Sequence, residues 1–213
     1  MHRASGIHVL KALLCTQRLG VRAIEVLAAR QREFQSELQQ AKALGWQVNV
    51  VKDLKDQGAR QYGIVSHFEF DFMPMQALEA PSMRRLLMLD RIQDPHNFGA
   101  CLRSAAAFGI DALIVPQRSA APVNQIVHQI SCGGSIIVPI IQVTNLRQAM
   151  TELQDKGVWF VATDEHAKMQ FSDLYLSVPT CLVMGSEGEG VKQSLKDACD
   201  YQIAIRTTQD FST

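Results

Sequence analysis

The stretch CLVMGSEGEGV (181–191) decides how the rest of the chain is read. Four apolar residues run straight into a loop with glycine at 185, 188 and 190. A short apolar run ending in such a loop is how a buried parallel strand meets a ligand. The loop also carries Glu187 and Glu189, and this sorts the ligand classes. A phosphate is drawn to a helix N-terminus, but two carboxylates repel it and no G-K-[ST] follows. A dinucleotide site needs G-x-G-x-x-G early in a βαβ unit with an acidic residue about 20 positions on, and the glycine spacing here is three and two. A neutral or cationic ligand that meets backbone amides, such as a nucleoside carrying a sulfonium, tolerates the carboxylates. A structural reading competes: Ser186 and Glu189 have the S-x-x-E spacing of a helix capping box. It accounts for Glu189 but not for Glu187 or for three glycines, and both readings stay open.

Working outward, strand and helix signals alternate from residue 84 onward. Strands are expected at LLMLD (86–90), ALIVP (112–116), IIVPII (136–141), VWFVAT (158–163), TCLVM (180–184) and YQIAI (201–205). Helices fit between them at about 97–108, 122–131, 145–156 and 190–199. Short apolar runs between amphipathic helices predict an α/β fold, a mostly parallel sheet with helices on both faces. Ligands in such sheets sit at the carboxyl ends of strands.

A second segment lies at such an end. After the strand 86–90 comes RIQDPHNFGACLRSAAAFG (91–109). Asn97 reads as the helix N-cap, and Phe98, Leu102, Ala105 and Ala106 as the buried stripe, with Gly109 closing the helix. Gly99 and Arg103 are four apart and share a face. A first-turn glycine costs about 1 kcal/mol against alanine, so something is expected to approach that face closely, with Arg103 beside it. A capped core helix with a surface arginine is the plainer alternative.

Residues 1–70 read as a small mixed domain. Its elements are a helix at IHVLKALL (7–14), a strand at VRAIEVLAA (21–29), a helix at 32–45 closed by Gly45, and strands at WQVNVV (46–51) and YGIVSHFEF (62–70). Residues 71–83 hold two prolines and no lasting period, a linker. The chain is formally neutral, yet residues 1–65 carry ten Lys/Arg against five Asp/Glu, and residues 66–213 carry eleven against sixteen. A basic first third on an acidic remainder predicts that the first part meets a polyanion. No apolar run approaches the roughly 18 residues of a membrane span. The start of the chain reads as domain sequence, not a leader. Five dispersed cysteines without C-x-x-C, and histidines without metal-ligand spacing, predict free thiols in a reducing cytoplasm and no metal.

NFGACLRSAAAFG resembles the first motif, N-x-G-x-x-x-R-x-A, of the SpoU class of RNA ribose 2′-O-methyltransferases, and VMGSEGEGV resembles their second. SCGGSIIVPIIQVTNLRQAM, GIHVLKALL and QYGIVSHFE are also similar to the family, nearest to its members that modify a guanosine of 23S rRNA. The resemblance implies a SPOUT-type catalytic domain over 84–213 with a C-terminal trefoil knot that binds S-adenosylmethionine. It also implies a homodimer and an N-terminal RNA-binding domain resembling small ribosomal proteins, with rRNA rather than tRNA as partner. Carried over by position, Asn97, Arg103 and Glu187 are the catalytic residues. Met184, Gly185, Glu187, Gly190 and Ile205 are the cofactor-binding ones. A guanidinium stays protonated in proteins, so Arg103 is expected to bind phosphate and stabilise developing alkoxide, not to act as base.

The family's third motif should follow the last strand as roughly I-P-M-x-G and then S-L-N-V-S-x-A. This chain reads YQIAIRTTQDFST, with Arg206, Thr207 and Thr208 in place of the usual Pro-Met start. That departure implies either a shortened chain or a degenerate member with an incomplete knot and weakened cofactor binding. The alternative function is then a non-catalytic RNA-binding homologue.

Overall fold

The computed structural model describes residues 1–79, 84–174 and 178–205. In chain order the strands and helices are β1 (His2–Ser5), α1 (Ile7–Thr16), β2 (Val21–Leu27), α2 (Gln35–Ala43), β3 (Gln47–Val51), α3 (Gln57–Tyr62) and β4 (Ile64–Phe68). There follow β5 (Arg85–Leu89), α4 (Pro95–Ala107), β6 (Ala112–Pro116), α5 (Gln125–Ile130), α6 (Gly134–Ile137) and β7 (Ile140–Val143). The last are α7 (Leu146–Gln154), β8 (Trp159–Thr163), β9 (Met169–Gln170), β10 (Thr180–Met184), α8 (Gln193–Lys196) and β11 (Tyr201–Ala204). They form two compact units, neither continuous in sequence: residues 1–72, 94–108 and 121–139, and residues 73–93, 109–120 and 140–213.

The first unit holds a four-stranded sheet in the order β1-β4-β2-β3, antiparallel except between β2 and β3. Leu10 of α1 and Leu38 and Ala41 of α2 pack with Ile24, Val26 and Ile64 of this sheet. Two elements carried too little apolar signal to be anticipated. β1, a polar tetrapeptide, is a strand because it pairs with β4. α3 begins where Asp56 accepts the amides of Gly58 and Ala59 and ends at Gly63, whose φ is 73°. α4, α5 and α6 belong to the same unit, and α4 contacts both of the others.

The second unit is built on a seven-stranded sheet in the order β7-β6-β5-β10-β8-β11-β9, every pairing parallel. All five residues of β6 and four of the five of β5 are buried, as central strands of a parallel sheet require. α7 is capped by Asn145, whose side chain accepts the amides of Arg147 and Gln148. It packs Leu146, Met150 and Leu153 with Met88, Ile114 and Phe160, each such burial worth about 1.5–3 kcal/mol. In the segment read as a linker, Met73 donates its amide to Ile140 O at 2.8 Å, residues 75–79 form a 3-10 turn and Leu78 is buried in the sheet's core.

Three expectations need correction. The run IIVPII is not one strand: Ile136 and Ile137 end α6, and β7 starts only at Ile140. Period alone cannot separate a buried helical turn from a strand in so short a run, and Pro139, which has no N–H to give a ladder, stands between the two. The helix expected over 190–199 is helical only at Gln193–Lys196. Asp94, not Asn97, caps α4: its side chain accepts the His96 amide at 3.0 Å, and Pro95 takes the first helical position, where a missing N–H costs nothing. The expected third motif and the last part of the knot fall on 206–213, outside the described residues.

Candidate functional site

The GSEGEG loop leaves the carboxyl end of β10 and folds back on itself. Gly190 N donates to Ser186 O at 2.9 Å, and the two residues form an isolated antiparallel bridge. Glycine at 185 is required by that closure, since a Cβ there would lie 1.9 Å from the Gly190 carbonyl carbon. The capping box between Ser186 and Glu189 is not formed. α8 begins after Lys192 with no side-chain cap, and Glu189 instead pairs with Arg91.

Two residues that the sequence did not single out hold this loop against β5. Asp90 is 2% exposed. Its amide donates to Met184 O at 2.8 Å, and its carboxylate accepts the Lys192 amide at 2.9 Å. Arg91 turns the chain with φ at 60° and reaches Gly190 O at 3.3 Å as well as the Glu189 carboxylate. Glu189 is largely exposed, so the pair contributes no more than about 1 kcal/mol and serves mainly to set the loop's path. The signal in the sequence was the LDR at the end of an apolar run.

Beside the loop lies a cavity of about 690 Å³ lined by Met184, Gly185, Ser186, Gly188, Gly190, Val191 and Ile205, with Thr163, Asp164, Glu165 and His166 from the end of β8, and Glu189 and Lys196. The structure thus gathers four of the five expected cofactor residues, Met184, Gly185, Gly190 and Ile205. The fifth, Glu187, is exposed in the same loop. Asp164 and Lys196, unmarked in the sequence, are paired at 2.8 Å across this cavity. The Lys196 ammonium, then the His166 amide, hold the Asp164 carboxyl below its ordinary range. A volume of this size suits a nucleoside-sized ligand. The lining combines open backbone, apolar faces from Met184, Val191 and Ile205, and three carboxylates against one lysine. That donor set fits a cationic nucleoside cofactor and disfavours a polyphosphate.

The other expected residues, Asn97 and Arg103, lie on α4 in the first unit, both exposed. What approaches Gly99 is the protein itself. A Cβ there would meet Ile130 Cβ at 2.7 Å and Val127 O at 3.2 Å, so the glycine lets α5 close on α4. Arg103 is exposed one turn further along the same helix. In the same unit His128 of α5 is fully buried, with Nε2 2.9 Å from His2 Nδ1 and Nδ1 2.8 Å from Ser135 Oγ. Burial, then the charge on His2, pushes the His128 imidazole down to about 3.

The described residues contain no group of three or more side chains placed to hold a metal, and no helix long and apolar enough to cross a membrane.

Residues 84–213 match the model of the SpoU rRNA methylase family. The chain is 37% identical over 214 residues to the 23S rRNA (guanosine-2′-O-)-methyltransferase RlmB of Photobacterium profundum, covering 94% of this chain and 86% of that protein. Against the protein of the same name from Bordetella pertussis it is 34% identical over 212 residues, with the same coverage. Its fold is that of the SpoU methyltransferase AviRb from Streptomyces viridochromogenes in complex with AdoMet (TM-score 0.81, 20% identity, 99% of this chain and 83% of that one). The AdoMet-bound rRNA methyltransferase from Sinorhizobium meliloti is also similar (TM-score 0.77, 19% identity, 100% of this chain and 80% of that one).

Proposed function

Because the chain belongs to the SpoU rRNA methylase family, we propose that it transfers a methyl group from S-adenosylmethionine to the ribose 2′-OH of a guanosine in 23S rRNA. The observation that carries the reading to this chain's own residues is the self-crossing loop 185–190 at the carboxyl end of β10, with a carboxylate-rich cavity beside it. The cofactor supplies a methyl group already activated by its positive sulfur. The protein's task is therefore alignment, which can lower a barrier by about 7–11 kcal/mol. Met184, Gly185, Gly190 and Ile205 hold the cofactor through backbone and apolar contact, and Glu187 adds a carboxylate. Asn97 and Arg103 address the RNA: Arg103 binds the phosphate next to the target ribose and stabilises the oxygen as its proton leaves.

Residues 1–70 act as the RNA-binding part, which their excess of five positive charges over residues 1–65 supports, and residues 84–213 as the methyltransferase part, joined through 71–83. The working form is a cytoplasmic homodimer acting on rRNA in preference to tRNA.

The test is incorporation of a tritiated methyl group from S-adenosylmethionine into a 23S rRNA transcript, mapped by resistance of the 2′-O-methylated linkage to alkali. Wild type labels one guanosine. Arg103→Ala abolishes turnover while calorimetric affinity for S-adenosylmethionine stays near wild type. Labelling by Arg103→Ala at a near wild-type rate removes Arg103 from the chemistry. A wild-type chain that binds RNA but labels nothing is a non-catalytic homologue.

A further inference from the structure

A second cavity of about 330 Å³ opens at the carboxyl ends of β5, β6 and β7 and shares no lining residue with the first. Each surrounding segment contributes a cation to it: Arg91 after β5, Arg118 after β6, Arg147 in the first turn of α7, and Lys192 before α8. Among the described residues the only carboxylate lining it is Asp90, which is buried and already engaged by the Lys192 amide and the Arg91 guanidinium. Glu189 neutralises Arg91. Arg118 and the Lys192 ammonium have no hydrogen bond or ion pair among the described residues, and the one hydrogen bond of Arg147's guanidinium is to the Thr151 hydroxyl at 2.8 Å. Residues 66–213 are acidic as a whole, with eleven Lys/Arg against sixteen Asp/Glu. Even so, three unneutralised cations converge on one concave surface.

Two further features point the same way. The nine-residue helix α7 begins at this cavity, so its partial positive end adds to the field there. And of the four non-glycine residues with left-handed backbone among those described, two, Arg91 (φ 60°) and Ser119 (φ 68°), line it. Conformations of that kind cost of order 1–3 kcal/mol and persist where the surroundings enforce them.

We propose that this cleft binds backbone phosphates of the substrate RNA strand, with Arg118, Arg147 and Lys192 as the contacting groups. The inference rests on the RNA methyltransferase reading and adds to it a substrate-strand site distinct from the cofactor cavity. Guanidinium groups match a phosphodiester in a bidentate manner, and the flanking Ser119 and Asn145 are uncharged groups that a polyanion can approach. The contacts carry no base information, so they set the register of the strand, not the choice of nucleotide.

The test is the salt dependence of RNA binding. Fluorescence anisotropy with a labelled 23S rRNA fragment is run from low to moderate salt on wild type, on Arg118→Ala/Arg147→Ala, and on the control pair Lys156→Ala/Lys168→Ala, exposed cations that do not line the cleft. Each phosphate contact changes the slope of log K against log salt by about 0.7–0.9. The cleft variant is therefore expected to have a slope shallower by about 1.5 and an affinity lower by roughly tenfold or more. Its calorimetric affinity for S-adenosylmethionine matches wild type, and the control pair keeps the wild-type slope. Unchanged affinity and slope in a variant that still labels RNA overturn the cleft proposal and leave the enzyme reading standing. Equal loss in the control pair also overturns it, as an effect of net charge alone. A wild-type chain that neither binds nor methylates RNA overturns both readings. If the double variant loses its circular-dichroism signal, Arg118→Ala, whose exposed side chain makes no hydrogen bond or ion pair among the described residues, replaces it with half the expected change in slope.

Discussion

The His2–His128–Ser135 hydrogen-bond chain, buried at His128 and Ser135, gives the first unit a stability that depends on pH in a calculable way. His128 is fully buried and its imidazole is held at about 3 against an ordinary 6.5. Between those values the unfolded chain takes up a proton that the folded chain refuses. This contribution is therefore fully present above pH 6.5 and is lost progressively as pH falls toward 3. The whole span corresponds to about 5 kcal/mol, and the part lost between pH 7.5 and pH 5 to about 2 kcal/mol. His2 is also held below its ordinary value, first by burial and then by the N-terminal ammonium, so it acts in the same direction. His128→Gln keeps a donor and an acceptor of similar reach but cannot titrate. It is expected to be less stable than wild type at pH 7.5 through imperfect replacement of the two ring hydrogen bonds. The gap should narrow by about 2 kcal/mol on going to pH 5, because only wild type carries the proton-linked loss. Urea unfolding at both pH values and constant ionic strength, with linear extrapolation, measures the gap. A gap that stays constant with pH would refute the reasoning, and so would an NMR titration in which the His128 ring protonates above pH 5 in the folded protein.

Gly185→Ala forces the loop apart, because the new methyl falls on the Gly190 carbonyl carbon at 1.9 Å; calorimetry should show S-adenosylmethionine affinity reduced at least about tenfold, a change of about 1.4 kcal/mol. Gly99→Ala gains about 1 kcal/mol of helix propensity but drives a methyl to 2.7 Å from Ile130 Cβ. Overpacking of about 1–3 kcal/mol should win, so thermal unfolding is expected to occur at a lower temperature than in wild type. Arg91→Ala removes the guanidinium that ties Glu189 and Gly190 O to the end of β5 and takes a charged partner from the buried Asp90 carboxylate; global stability should fall by about 1–3 kcal/mol, while hydrogen exchange at the Gly190 amide accelerates clearly.

The central strands were legible because their chemistry is unambiguous. ALIVP is apolar throughout and TCLVM from its second residue on, so β6 and β10 fall at 112–116 and 180–184 as read. The glycine-rich loop was legible as the loop that leaves this strand for the same reason, and its two carboxylates argue against a phosphate there. Four of the five cofactor candidates share the cavity that the structure forms there. Two of the failures share a cause: a deciding partner lay far away in sequence. IIVPII splits because the turn 134–137 is placed against the backbone of Leu102 and the strand register against β6. Ser186 and Glu189 have capping-box spacing, but Ser186 is claimed by Gly190 and Glu189 by Arg91, 98 residues away.

What the sequence determined alone was the identity of the segments: a parallel α/β body, a basic first third, and two motifs whose order and residue types belong to one family. Those are properties of local composition and period, which side-chain size and polarity dictate directly. What only the tertiary structure decided was which groups meet. Gly99 lets α5 close on α4, Asp164 joins Lys196, and Arg118, Arg147 and Lys192 converge on one cleft. Contacts of that kind are fixed by the packing of elements that lie tens of residues apart along the chain, and no local pattern records that packing.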